Sequence, residues 1–266
     1  MNSIYRTIWN RTCTYFTVPS ESASGVLKSR NSVARLTSRA PAFPLSTLSA
    51  SLLLAFSSMG HATGVLVDGT IYNGTGKMVT SGDNNPALRV MNVGDATWSN
   101  GILSTSGTGL GAVLVETSST LNLIGMTVNS LMANTPGLVA SGGSKVNLQN
   151  TEVATLGNSV ALDIKEASQL SGNNVQINST GSGLLATNAT ADVSNLDIVT
   201  LGANGYGIAT TGTSNVNVRG GSIKTTNSRG YGIYATAGGT VSADNIAIST
   251  WGTTVVERWP QERGLT

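Results

Sequence analysis

The sequence predicts an all-β protein: a right-handed parallel β-helix of about seven coils behind a cleaved leader. Three observations carry this. First, apolar residues recur at a near-constant interval. Leu103, Val128, Val153, Val175, Ile198, Ile223 and Ile248 form one such column. The interval is about 25 residues, slightly less on either side of Val175, and falls in the range of solenoid repeats. A column five positions upstream holds Trp98, Leu123, Leu148, Leu170, Val193, Val218 and Ala243. Another, two positions downstream, holds Thr105, Ser130, Thr155, Ile177, Thr200, Thr225 and Thr250. A fourth holds Leu88, Val113, Leu138, Val160, Leu184, Ile208 and Ile233. Such self-similarity marks a solenoid, whose repeats bury their apolar faces only by stacking. Second, each repeat contains short runs of alternating apolar and polar residues, such as Val216-Asn217-Val218, separated by Gly, Asn, Ser and Thr. Third, no segment after residue 62 sustains a helical period.

The alternatives fail on pattern. An up-and-down barrel needs hairpin turns between paired strands, whereas here the turns recur once per coil. A leucine-rich repeat needs an L-x-x-L-x-L frame, and a calcium-binding β-roll needs G-G-x-G-x-D nonapeptides; neither is present. In a parallel β-helix each strand pairs with its equivalent one coil away, at about 4.8 Å. Equivalent side chains therefore stack, with Val, Ile and Leu inward, each contributing about 1.5–3 kcal/mol on burial. Seven coils make a rod on the order of 34 Å long.

The chain divides into four segments. Residues 1–62 form an extended signal peptide. Residues 1–39 are basic and polar, and 45–56 (LSTLSASLLLAF) form an apolar core too short to span a bilayer. Gly60 and Ala62 are the small residues that place cleavage between Ala62 and Thr63. Residues 63–87 are an N-terminal cap and entry to the solenoid, and 88–250 carry the repeats. Residues 251–266 (WGTTVVERWPQERGLT) hold four charged residues and two Trp and do not match the coils before them. This tail reads as the point where the repeat is cut short, or as a capping segment, since the terminal repeats of solenoids are atypical.

Charge and cysteine content exclude several functions. The formal net charge of +2 is misleading, because six of the fifteen Lys and Arg precede residue 40. From Thr63 onward there are nine basic and twelve acidic residues, which disfavours a nucleic-acid partner. Cys13 and His61 both lie in the leader, so no disulfide, zinc cluster or His-assisted Ser nucleophile is expected in the mature chain. No cofactor or metal ligand set is expected.

β-Helical enzymes acting on polysaccharides need clustered carboxylates. The candidates are Asp192 with Asp197 on one coil, which the column register places outward, and Asp163 with Glu166 beside Lys165, which reads as a solvated turn. Gly-rich stretches such as 202–207 lack the Lys and helix of a phosphate loop and read as coil turns. Tyr206 and Tyr231 recur one coil apart in the phrase Gly-Tyr-Gly-Ile. They are candidate surface-binding residues or simple packing across coils.

The first residues carry a family resemblance. Met1, Asn2, Ile4, Tyr5, Arg6, Ile8, Trp9 and Asn10, then Val18, Ser20 and Glu21, resemble the extended signal-peptide region of type V secreted proteins. Ser3 replaces the usual Lys, and Phe16 stands near the usual Trp. The resemblance implies a Gram-negative protein exported by the Sec machinery. Together with the repeat, it resembles an autotransporter passenger of the AidA or pertactin-like type. That implies an adhesin-like structural surface protein, not an enzyme, whose partner is a host receptor, a glycan or other cells. It also implies a translocator barrel, of which these 266 residues show no pattern, so a passenger truncated before the barrel is expected. Export would then end in the periplasm, and with a barrel at the cell surface or outside. The other expectations are a polysaccharide-active β-helix enzyme and a non-functional remnant.

Overall fold

The computed structural model describes residues 8–10, 15–17, 63–226 and 229–251. In the leader, Ile8–Asn10 pairs antiparallel with Tyr15–Thr17. Ala62 and the tail from 252 onward lie outside the described residues, so the cleavage site is described only at Thr63.

From Val65 to Thr250 the chain alternates short and long strands, and no helix occurs among the described residues. Short strands such as Leu138–Ala140, Leu162–Lys165 and Leu184–Thr187 build one eight-stranded sheet. Long strands such as Lys145–Thr155, Gln169–Ser179 and Thr190–Thr200 build a second, also of eight strands. Every pairing in both sheets is parallel and joins neighbouring coils. This is the expected β-solenoid. Residues 63–87, expected as its entry, carry its first coil: Val65–Asp68 and Ile71–Thr80 pair with Leu88–Met91 and Asp95–Thr105.

Each long strand is bent. In Thr120–Ser130 the buried positions are 121, 123, 126, 128 and 130, so the alternation skips one position at Gly125. That corner is a column of positive φ: Asn100, Gly125, Asn150, Asn174, Asn195, Gly220 and Asn245. The left-handed region costs most side chains about 1–2 kcal/mol, and Gly and Asn tolerate it best. Stacked Asn also bond to each other: Asn174 Nδ2 donates to Asn150 Oδ1 at 2.8 Å. A coil thus has three straight runs and three corners, with the core between them.

The inward columns form that core. Leu88, Leu103, Leu123, Leu138, Leu148, Ile198 and Ile223 are essentially inaccessible. Large side chains fill gaps left by small ones. Trp98 occupies the space in which a Cβ on Gly74 would lie, and its indole Nε1 donates to the Gly76 carbonyl at 3.2 Å.

One coil departs from the expected register. Val153 pairs with Ile177, and Thr151 with Val175. The columns therefore pass through Leu162 in place of Val160, Gly172 in place of Leu170, Ile177 in place of Val175 and Ser179 in place of Ile177. The true column runs Val153, Ile177, Ile198, so the shortening falls almost wholly between Ile177 and Ile198 and is not shared evenly. A slip of two positions leaves every side chain on the same face, so alternation cannot detect it. Gly172 also removes the apolar marker from the true position, while Val175 packs into the room that Gly172 leaves.

With that correction, Thr80, Thr105, Ser130, Thr155, Ser179, Thr200 and Thr225 are one buried hydroxyl column at the end of the long strands. Several fasten the corner loop that follows. Thr80 Oγ1 donates to Asn85 O at 2.7 Å, Ser130 Oγ to Thr135 O at 2.7 Å, and Thr155 Oγ1 to Ser159 O at 3.1 Å.

Two stability outcomes follow from this packing. Ile223→Asp places an unpaired carboxylate in a position 1% exposed and costs roughly 3 kcal/mol or more. A mature chain that keeps its melting temperature with this change would contradict the register. Asn174→Ala, at φ 55°, costs about 1–2 kcal/mol, and Asn174→Gly less; urea unfolding of the two variants ranks them.

Candidate binding surfaces

Outward side chains stack in the same way as inward ones, so each face of a coil has its own composition. Two surface features stand out, a tyrosine cluster and a polar groove.

Tyr206 and Tyr231 lie in the loops that follow the long strands, in successive coils. Their rings stack with centroids 5.8 Å apart and planes at 22°. A third ring completes the cluster. Tyr234 lies 4.9 Å from Tyr206 at 12°, and 5.6 Å from Tyr231 at 31°. Tyr231 and Tyr234 remain 42% and 38% exposed. Tyr234 escapes a repeat-based search because its equivalent one coil back is Ala209. The signal available was alternation alone: Ile233 points inward, so the next residue points out. Ala209 leaves room beside Tyr234, and the Tyr206 ring stacks there.

The groove lies on the first half of the long strands. One outward column reads Thr120, Lys145, Gln169, Thr190, Asn215, Thr240, and the next reads Asn73, Thr97, Asn122, Asn147, Ser171, Asp192, Asn217, Ser242. The second is composed of amides, hydroxyls and one carboxylate throughout. A shallow groove of about 380 Å³ crosses these columns and is lined by Lys145, Gln169, Thr190, Asn215, Ser171 and Asn217 among others. It sits where a corner is shortened. Only positions 188 and 189 separate Thr190 from the short strand before it, where 166–168 and 212–214 precede the neighbouring long strands.

The carboxylates are spread over different faces. Asp192 lies before the Asn195 corner and Asp197 after it, so they face different ways, both outward as the register implied. Asp192 pairs with Arg219 Nη1 at 2.8 Å, and Asp197 accepts from Ser222 Oγ at 2.6 Å. Asp163 pairs with Lys165 at 3.2 Å, and Glu166 is exposed in the adjoining corner at φ 54°. Arg89 pairs with Glu116. Among the described residues no group of three or more His, Cys, Asp or Glu could hold a metal ion. Asp83, in a corner loop, accepts from Thr108 Oγ1 at 2.6 Å and from its amide at 3.2 Å. The hydroxyl bond, then the amide bond, holds the Asp83 carboxyl below its ordinary value.

Comparison with known proteins places the leader and the fold. Residues 1–50 match the family of extended signal peptides of the type V secretion system. This chain carries a type V secretion leader. It is an exported protein, and the solenoid is what the leader exports. Among solved structures, Vag8 in the cryo-EM structure of the Vag8-C1 inhibitor complex is similar, with a TM-score of 0.58 and 24% identity. The match covers 70% of this chain and 54% of that one, so the chain spans about half the length of its structural relative. The likeness shows the fold, a β-solenoid. No curated protein matches the sequence significantly.

Two measurements test this surface. The Asp192 and Arg219 side chains are 57% and 60% exposed, so Asp192→Asn shifts stability by no more than about 1 kcal/mol in denaturant unfolding. The Asp83 bonds stabilise the folded chain above the ordinary carboxylate range. Their contribution fades as pH falls through the depressed folded value. In an NMR titration Asp83 protonates below the ordinary aspartate value, and Thr108→Val raises it toward that value.

Proposed function

We propose that this protein is an adhesin-like passenger that acts by contact and catalyses nothing itself. The observation that carries the reading is a type V secretion leader joined to a solenoid in which Asp163, Asp192 and Asp197 are each held by a neighbouring side chain and Glu166 stands in a corner. A glycosidase-like site needs two carboxylates facing one bond, and Asp192 and Asp197 are divided by the Asn195 corner. The partner is a host receptor, a glycan or another cell. A solenoid of similar fold, Vag8, has been seen in complex with C1 inhibitor, which supports partner binding by this architecture.

Within this reading, Tyr206, Tyr231 and Tyr234 form one contact patch. Rigid, half-exposed aromatic rings give large contact area at low entropic cost. The leader directs the mature chain outward, to the cell surface or beyond.

Beads coated with the mature chain should adhere to epithelial cells more than beads coated with an inert protein. The double variant Tyr231→Ala, Tyr234→Ala should reduce that adhesion by about tenfold, because losing one good aromatic anchor costs on the order of 1–2 kcal/mol. Adhesion no greater than that of the inert protein would overturn the proposal.

A further inference from the structure

The polar groove lies on a different face of the coil from the tyrosine patch and has a different chemistry. We infer that it binds an extended, neutral polysaccharide lying along the solenoid axis, without cleaving it. This rests on the contact reading above, and narrows it to one surface and one ligand class. Three features support it.

The first is spacing. Lys145, Gln169, Thr190 and Asn215 are register partners in successive coils, as are Asn147, Ser171, Asp192 and Asn217. Parallel pairing therefore sets polar groups about 4.8 Å apart along two adjacent lines. A linear ligand whose own polar groups repeat at a short regular interval meets one such group after another. A compact ligand meets only one or two.

The second is donor and acceptor character. Asn and Gln amides and Ser and Thr hydroxyls both donate and accept, and so do sugar hydroxyls. Gln169, Thr190, Asn215 and Asn217 line the groove, and their side chains make no hydrogen bond to another described residue. Their hydrogen-bonding capacity is available to a ligand. They stand on strands and not on loops, so little freedom is lost when they bind.

The third is what the groove omits. Aromatic anchors, which dominate protein interfaces, are absent from its lining. Lys145 is the one cation in the lining, and Arg219, on the next outward column, is held by Asp192; a polyanion would need a row of cations. Asp192 is the one carboxylate in the lining, so the pair that hydrolysis requires is missing there. The floor is rigid for a simple reason: the residues between the outward ones, Val146, Leu170 and Ala191, are core.

Many weak contacts in a line make affinity depend on ligand length. The four coils from Lys145 to Asn215 span about 14 Å, so binding should tighten from disaccharide upward until the ligand fills that span, then level off.

The test is calorimetric titration of the mature chain with linear neutral gluco- and manno-oligosaccharides, disaccharide through hexasaccharide, with heparin as the anionic probe. The expected result is binding of a neutral series that tightens with length and changes little with salt. The double variant Gln169→Lys, Asn217→Lys fills the groove from the surface. It should weaken binding about tenfold or more, while Gln176→Lys, Ser222→Lys, on the other half of the same two strands, should not. Circular dichroism melting of both variants separates lost binding from lost folding. Bead adhesion to epithelial cells reads the tyrosine patch and calorimetry reads the groove, so failure of one is distinguished from failure of the other. Three results would overturn the inference: no neutral oligosaccharide bound, equal binding by both variants, or heparin bound in preference with a steep salt dependence. Loss of binding in Tyr231→Ala with the groove intact would also overturn it, by moving the site to the tyrosine patch.

Discussion

The hydrogen-bond ladder between coils is the constraint on which the rest of the molecule depends. Each strand inside the two solenoid sheets pairs in parallel with the strand one coil before and one coil after it. Every side chain then has its own equivalents as nearest neighbours, about 4.8 Å away on both sides. A residue type is tolerated in a column only if it tolerates itself. Leu, Val and Ile do so inside, Asn and Gly do so at the bend, and Ser and Thr do so at the loop anchor. The low charge of the chain, 11% Asp, Glu, Lys and Arg, follows from the same rule, since like charges in register repel. Asp192 and Asp197 have only Ser, Asn and Gln as register partners, and Arg219 is flanked by Ser194 and Asp244.

Corners solve a second problem. A straight strand cannot turn around the core, so one residue per long strand leaves the β region. The column from Asn100 to Asn245 supplies it, and its amides replace part of the lost strain energy with bonds such as Asn174 to Asn150. At the opposite corner the loops vary in sequence and length, yet hydroxyls at the strand ends hold their carbonyls. The coil between Ile177 and Ile198 is shorter than the others, and its inward residues Leu184, Val193 and Leu196 stay buried. The groove beside Thr190 is a surface consequence of that change.

Core and surface are thereby independent. Inward positions serve stacking and are nearly the same in every coil. Outward positions are free to differ, and each face has acquired its own chemistry: amides and hydroxyls before the bend, and tyrosines clustered beside the loops of the last described coils. A solenoid of this kind offers long regular surfaces. The type V leader exports the chain that carries those surfaces.

The sequence alone determined the architecture, because a short, nearly fixed repeat with period-2 alternation has few physical solutions. It determined the leader too, through residues such as Ile4, Tyr5, Arg6, Ile8, Trp9 and Asn10. It also placed Asp192 and Asp197 on the outside, since facing follows from alternation, and marked Tyr206 and Tyr231 as recurring one coil apart. Tertiary structure decided what alternation cannot see. The register of the Gln169–Ser179 coil slips by two positions without changing any face, and only pairing with the coils on either side reveals that Ile177, not Val175, continues the column. Tyr234 joined the tyrosine cluster because Ala209 left space next to it, a fact about two coils at once. The groove likewise depends on a corner shorter than its neighbours. Column membership, gaps and indentations are properties of pairs of coils, and a single strand's sequence does not contain them.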